Sequence, residues 1–263
     1  MTSQCTLTMH PQVAELLGRP QYAQRTPEWY EVRKNLMTAS NAAAALGIKP
    51  YDSFRGDPRA ECIKQIVTGS FKGNAATRHG CFHEDGVRDR MCEIMGETAM
   101  EFGLLLHPDI PWLAASPDGI TSTGRMIEIK CPMRRRIDPG HVPHHYYPQV
   151  QVQMEVCGLD SCYFCQWQPA HFSHTGTEIF DIVVVERDRE WFARHKDALH
   201  IFWGELMAAR AAYVPPPPPS CLIRDDLYAH LPPGTPLPLR SAPCPPAKKA
   251  RFSFLASDSE GDD

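Results

Sequence analysis

Met126-Ile127-Glu128-Ile129-Lys130 alternates with period two, as a half-buried strand does. Glu128 and Lys130 then share one face, and Ile127 and Ile129 point into a core. Asp118, in Pro117-Asp118-Gly119, comes just before the turn Ser122-Thr123-Gly124, which puts it at hairpin distance from that pair. Two carboxylates brought close repel, and one protonates unless a cation separates them. A hard divalent cation does this, because Mg²⁺ prefers carboxylate, carbonyl and water oxygens. An ammonium beside it can orient or help deprotonate a water, or steady charge growing on a phosphate. A cross-strand ion pair on a half-exposed strand accounts for the same residues, so this stretch alone does not decide.

A fourth residue shifts the balance. In RHGCFHEDGVRDRMCEIM, Glu84 lies in helical register with Val87, Met91, Ile94 and Met95, which points it with the apolar face toward the core. A carboxylate there is costly unless it is paired or metal-bound. A salt bridge to an arginine is the structural alternative, but three acids and a lysine together favour a metal site. Two other patterns resemble ligand sets. Cys157-x4-Cys162-x2-Cys165 has iron–sulfur or zinc spacing, yet Cys162 and Cys165 fall on opposite sides of a strand. His79 and His83 are one helical turn apart but match no further zinc motif, so they read as a helix-surface pair near a bound nucleic acid or the active site.

The elements that must position these groups follow in a clear order. Thr26-Pro27-Glu28 starts a helix with Trp29, Val32 and Leu36 as its apolar stripe. Ser40 caps a short helix, NAAAALG, which Gly47 stops. A longer helix covers 75–96, and WLAAS pairs with MIEIK as a hairpin. Residues 162–167 and 178–185 read as strands, and 188–212 as a closing amphipathic helix. QVQVQMEV is ambiguous: its period of two suits a strand, whereas Pro148 suits a helix start.

Twelve of the 25 prolines fall between 215 and 246, where apolar periodicity ends. We therefore expect an N-terminal arm over 1–24, a folded domain over 25–213 and a disordered tail over 214–263. In the tail, Lys248, Lys249 and Arg251 of PPAKKARF form a basic cluster that reads either as a nuclear import signal or as a chance patch, ahead of an acidic end. No apolar run approaches the ~20 residues of a membrane span, and the N-terminus lacks a signal core. An intracellular protein with reduced thiols is expected. The net charge of −4 confines any nucleic-acid footprint to local patches, of which Arg134, Arg135 and Arg136 form the densest.

Asp followed by Glu-x-Lys across a hairpin resembles the PD-(D/E)xK nuclease core. The wider pattern resembles the lambda exonuclease and YqaJ-type viral recombinase branch, with the herpesvirus alkaline nucleases more distant. The likeness runs from about residue 25 to 210, through TPEWYEVRKNLMTAS, GCFHE, SPDG, MIEIKCP, YYPQVQVQM and FDIVVVERDREW, in that order. It implies an α/β fold with a central mixed β-sheet flanked by helices. It also implies Asp118, Glu128 and the Ile129 carbonyl as metal ligands, Glu84 as a helix acid reaching the metal, and Lys130 as the catalytic lysine. Gln149 would complete the site from a helix, which makes QVQVQMEV helical. Arg33, Ser40, Ser116 and Arg136 match positions of a pocket for a 5′-terminal phosphate, with Arg134 or Arg135 as alternatives to Arg136.

The same resemblance implies a Mg²⁺-dependent deoxyribonuclease, with Mn²⁺ as a substitute, resecting double-stranded DNA ends 5′ to 3′ in viral recombination, replication or genome processing. A single-strand-annealing partner, a ring-shaped homotrimer and a location in the host nucleus are further family expectations. The competing readings are an endonuclease or RNA-degrading nuclease of the same fold, and an inactive DNA-binding recombination scaffold.

Overall fold

β6 (Arg125–Lys130) and β7 (Ser161–Gln168) are the middle strands of a five-stranded sheet, and nearly every residue in both is buried. Strands this apolar on both sides need cover on both sides. The computed structural model, which describes residues 9–70 and 73–215, supplies it. The sheet order is β2 (Ala99–Met100), β5 (Gly119–Thr121), β6, β7 and β8 (Ile179–Glu186). β6 and β7 are parallel and the other pairs antiparallel, so the sheet is mixed.

One face is covered by α5 (Ala75–Met95), whose Val87 and Met91 pack with Ile127, Ile129, Tyr163 and Cys165. The other face is covered by α6 (Tyr147–Cys157), with Val150, Val152 and Met154 in one core with Met126, Cys162 and Phe164. α7 (Arg189–Ala212) adds Phe192, Leu199, Phe202 and Leu206 to that core. A second, three-stranded sheet has β4 (Leu113–Ala115) at its centre. It is parallel to β1 (Met37–Thr38) and antiparallel to β3 (Leu105–Leu106).

Local chemistry fixes the helix ends. α2 (Pro27–Arg33) begins as expected, with the Thr26 hydroxyl accepting from Trp29 N–H and proline in the first turn. Asn74 caps α5 and Asp188 caps α7 in the same way. α6 ends at Gly158, whose φ of 65° suits glycine. The segment over 1–24 includes α1 (Pro11–Gly18), whose Val13 and Leu16 are fully buried in the main core, so its described part packs as domain rather than arm. Short helices α3 (Ala42–Ala45) and α4 (Pro58–Thr68) complete that side. The tail from 216 on, with its basic cluster, lies outside the described residues.

Three expectations change. The hairpin does not pair WLAAS with MIEIK: Leu113–Ala115 belongs to the smaller sheet, and Gly119–Thr121 pairs with β6, Gly119 opposite Ile127. Proline 117 has no N–H to donate, so the strand breaks there and the chain changes sheets. Pairing resumes where Asp118 N–H donates to the Ile127 carbonyl (3.1 Å). Gly119 suits this junction, because a Cβ would crowd the side chains of Arg88 (3.2 Å to Cδ) and Ile127 (3.3 Å to Cδ1). Ser40 is not a helix cap but lies inside a 3₁₀ turn, Ala39–Asn41, and its hydroxyl serves Arg33 and Thr38 instead. Ile94 and Met95, expected on the buried stripe with Val87 and Met91, are 57% and 37% exposed, so the last turn of α5 faces solvent.

An ion-pair network ties α6 to the end of β8. Glu155 accepts from Arg187 Nε at 3.1 Å, and its other oxygen is 3.6 Å from His107 Nε2. Contact with His107 and Arg187 holds the Glu155 carboxyl below its usual range. A lowered folded-state pKa adds stability above the ordinary carboxylate range, and that stability is lost as pH falls through the folded value. Glu155→Gln is therefore expected to cost about 2 kcal/mol at pH 7. The gap from wild type should narrow in melts taken below about pH 4, and a gap independent of pH would contradict the assignment.

Candidate active site

β6 delivers Glu128 and Lys130 to the face covered by α6, where they are 2% and 9% exposed. Lys130 Nζ is 2.8 Å from Glu128 Oε1 and lies 4.6 Å above the centroid of the Tyr146 ring. α6 contributes two glutamines one turn apart. Gln149 Nε2 donates to Glu128 Oε1 at 2.6 Å, and Gln153 Nε2 donates to Glu128 Oε2 at 2.7 Å. Gln149 also accepts from Lys130 through its oxygen at 3.4 Å. Both Glu128 oxygens are thus oriented by side-chain amide donors, which fixes the carboxylate in one orientation.

Asp118 closes the β5–β6 ladder: its Oδ2 accepts from Ile129 N–H at 2.7 Å. Burial, then the nearby Glu128 and Glu84, hold its carboxyl well above the usual range. Glu84 is also raised, by burial first, although Arg25 at 2.8 Å pulls the other way. The arginine salt bridge weighed as an alternative for Glu84 is therefore present, alongside the convergence of the three acids.

A cleft of about 140 Å³ collects these groups. Glu84, Asp118, Glu128, Ile129, Lys130 and Gln149 line one part of it. Arg33, Thr38, Ser40 and Ser116 line another. Arg33 is buried with its guanidinium 4.0 Å over the Trp29 ring, and donates to Thr38 Oγ1 (3.4 Å) and Ser40 Oγ (3.3 Å). Trp29 Nε1 donates in turn to Ser116 Oγ at 3.0 Å. Burial pushes Arg33 down to about 9, which leaves it a cation at neutral pH.

Of the residues named for the phosphate pocket, Arg136 stands apart: it is exposed and does not line the cleft, and its alternative Arg134 is likewise exposed and outside the lining. Arg135 turns inward, donating to Gln166 Oε1 at 2.9 Å and lying 5.5 Å from the Tyr146 ring centroid. Gln153, Tyr146, Trp29 and Arg25 were missed as site residues. Gln153 was the most findable, since it follows Gln149 by four residues, but that signal shows only once the segment is read as a helix. His79 and His83 meet edge to face, and His79 stacks on Trp167 while His83 lies tilted against the same ring. Cys157, Cys162 and Cys165 are buried free thiols, with Cys162 and Cys165 in different cores.

The donor set suits a hard cation, since three carboxylates that repel one another meet beside a backbone carbonyl strand. As placed, no three His, Cys, Asp or Glu side chains among the described residues form a ready ligand cluster. Glu128 is engaged by its glutamines and lysine, and Glu84 by Arg25. Asp118, Glu128 and Glu84 are the residues that would hold a cation here, and Glu84 would have to exchange Arg25 for it.

This mixed sheet flanked by helices matches the fold of an alkaline exonuclease. The structure of LHK-Exo, an alkaline exonuclease from Laribacter hongkongensis, matches with a TM-score of 0.55 and 27% identity, covering 71% of this chain and 95% of that one. The same enzyme in complex with dAMP matches with a TM-score of 0.55 and 28% identity. The chain belongs to the YqaJ-like viral recombinase domain family, whose model matches residues 28–160. An uncharacterized protein of Acanthamoeba polyphaga mimivirus, R354, is 31% identical over 166 residues, or 56% of this chain. The chain spans 29% of the length of that relative.

Proposed function

We propose that this chain is a Mg²⁺-dependent DNA exonuclease of the PD-(D/E)xK type, which hydrolyses phosphodiester bonds at duplex ends from 5′ to 3′ in viral DNA recombination, replication or genome processing. The observation that carries this reading is one cleft with two chemistries. Asp118, Glu128 and Lys130 stand in one part of it and the buried Arg33 with Ser40 and Ser116 in another. The likeness to an alkaline exonuclease supports the reaction class.

In this mechanism the guanidinium of Arg33 and the hydroxyls of Ser40 and Ser116 receive a terminal phosphate, which sets the register of the strand. Gln149 and Gln153 hold Glu128 in one orientation, and Asp118 is fixed by the Ile129 N–H. Asp118, Glu128 and Glu84, with the Ile129 carbonyl, would hold the ion. Mg²⁺, when bound, supplies Lewis-acid charge for the scissile phosphate and for the attacking water. Lys130 orients that water and offsets negative charge as the phosphorus is attacked.

End-labelled linear duplex, with and without a 5′-phosphate, and a closed circle test the reading in Mg²⁺ and in EDTA. Loss of label from phosphorylated linear ends, with the circle spared and EDTA silencing the reaction, is expected. Equal cutting of the circle, or metal-independent cutting, would overturn it. Arg33→Lys should slow degradation of 5′-phosphorylated ends by about tenfold, because a lysine lacks the planar fork. The rate on 5′-hydroxyl ends should hardly move, and an equal loss on both would assign Arg33 to the fold instead.

A further inference from the structure

Arg25 is the one non-glycine residue among those described with a positive φ, 66°. A left-handed backbone is unfavourable for a residue with a Cβ and persists only where its surroundings impose it. Here both neighbours are pinned. Gln24 Nε2 donates to the carbonyls of Phe102 (2.9 Å) and Pro117 (3.0 Å), the latter adjoining Asp118. Thr26 Oγ1 donates to the Ala23 carbonyl at 2.8 Å while capping α2. The chain between these anchors has little choice, and the side chain it projects meets Glu84 at 2.8 Å.

The location gives this contact its meaning. A second opening, lined by Arg25, Arg88, Glu84 and Asp118 among others, shares Glu84 and Asp118 with the cleft described above. The Glu84 carboxylate therefore stands in the wall between the two openings. Arg88 is already engaged, by Asp85, Glu101 and the Asp118 carbonyl. Arg25 is half-exposed, with a side chain 46% accessible, so it can leave Glu84 without stranding a charge in the interior.

We propose that Arg25 is a positioning residue that acts as a resident counter-cation: it holds Glu84 in the metal-free protein and yields that carboxylate when a divalent cation enters the cleft. The inference rests on the metal site proposed above. Arginine and metal ion compete for one acid, so the guanidinium lowers apparent metal affinity while keeping the empty site from repelling itself apart.

Titration calorimetry with Mg²⁺ or Mn²⁺ alone, on the full chain without DNA, tests this. Arg25→Gly is the informative variant, because glycine accepts the left-handed backbone and removes only the competitor. It should bind the ion about five- to tenfold more tightly than wild type, whereas Arg25→Lys should bind like wild type. In a Glu84→Gln background, Arg25→Gly should no longer change the affinity. Without metal, Arg25→Gly should melt at or below the wild-type temperature, and saturating metal should restore it. Unchanged or weaker binding by Arg25→Gly would leave Arg25 as a structural residue and overturn the proposal alone. Absence of saturable binding by wild type, or binding untouched by Asp118→Asn, would overturn the metal site and this proposal with it.

Discussion

Lys130→Ala is expected to lower the rate of linear duplex hydrolysis by about 10³-fold, the size seen when a preorganised electrostatic group is removed from a reacting centre. The ammonium sits 2.8 Å from Glu128 Oε1 and 4.6 Å from the centroid of the Tyr146 ring. Its loss acts on the transition state more than on binding, since a terminal phosphate would still meet Arg33, Ser40 and Ser116 in the same cleft. Single-turnover rates should therefore fall while the Kd for duplex ends changes little. Glu128 would also lose its lysine partner, so a small loss of stability should accompany the loss of rate. Near-normal turnover would remove Lys130 from the mechanism.

Phe164→Ala is expected to destabilise the protein by about 3–5 kcal/mol, as aromatic truncations in a packed core do. Phe164 is wholly buried, on the central strand, between Glu128 on one side and Val183 on the other. Its ring lies 5.7 Å from that of Tyr146, the ring on which Lys130 rests. A cavity here removes the support of that tyrosine as well as core contacts. Urea unfolding should show a lower midpoint with an unchanged slope, and activity measured well below the midpoint should fall too. A loss under 1 kcal/mol would mean that the core collapses into the gap.

Much of this was legible because it was local. The helix from Thr26, the long helix ending at Gly96, both late strands and the closing helix each carry their own caps, period and stops. The acids and the lysine were visible for a different reason, since charges set into apolar runs have few structural uses. What local pattern misplaced or left open was non-local. The alternation of WLAAS holds for any strand, and nothing in it says which sheet it joins; Pro117 was the clue. The period of two in QVQVQMEV arises on a helix buried on nearly every side, where Gln149 and Gln153 face Glu128 and Gln151 bonds to Glu186 and Asp188. With no solvent-facing stripe, a 3.6 rhythm has nothing to mark. Arg25 could not be seen at all, because its role depends on a backbone angle.

The two middle strands of the larger sheet run in the same direction, and the return path between them is the helix that carries Gln149 and Gln153. A growing chain cannot place Gln166 beside Lys130 before that helix has been synthesised. Closing such a long-range pairing is slow compared with making a hairpin. Glu128 thus takes its two amide donors from the same crossover that the parallel pairing has to span, so the orientation of this acid and the closure of the sheet depend on one segment.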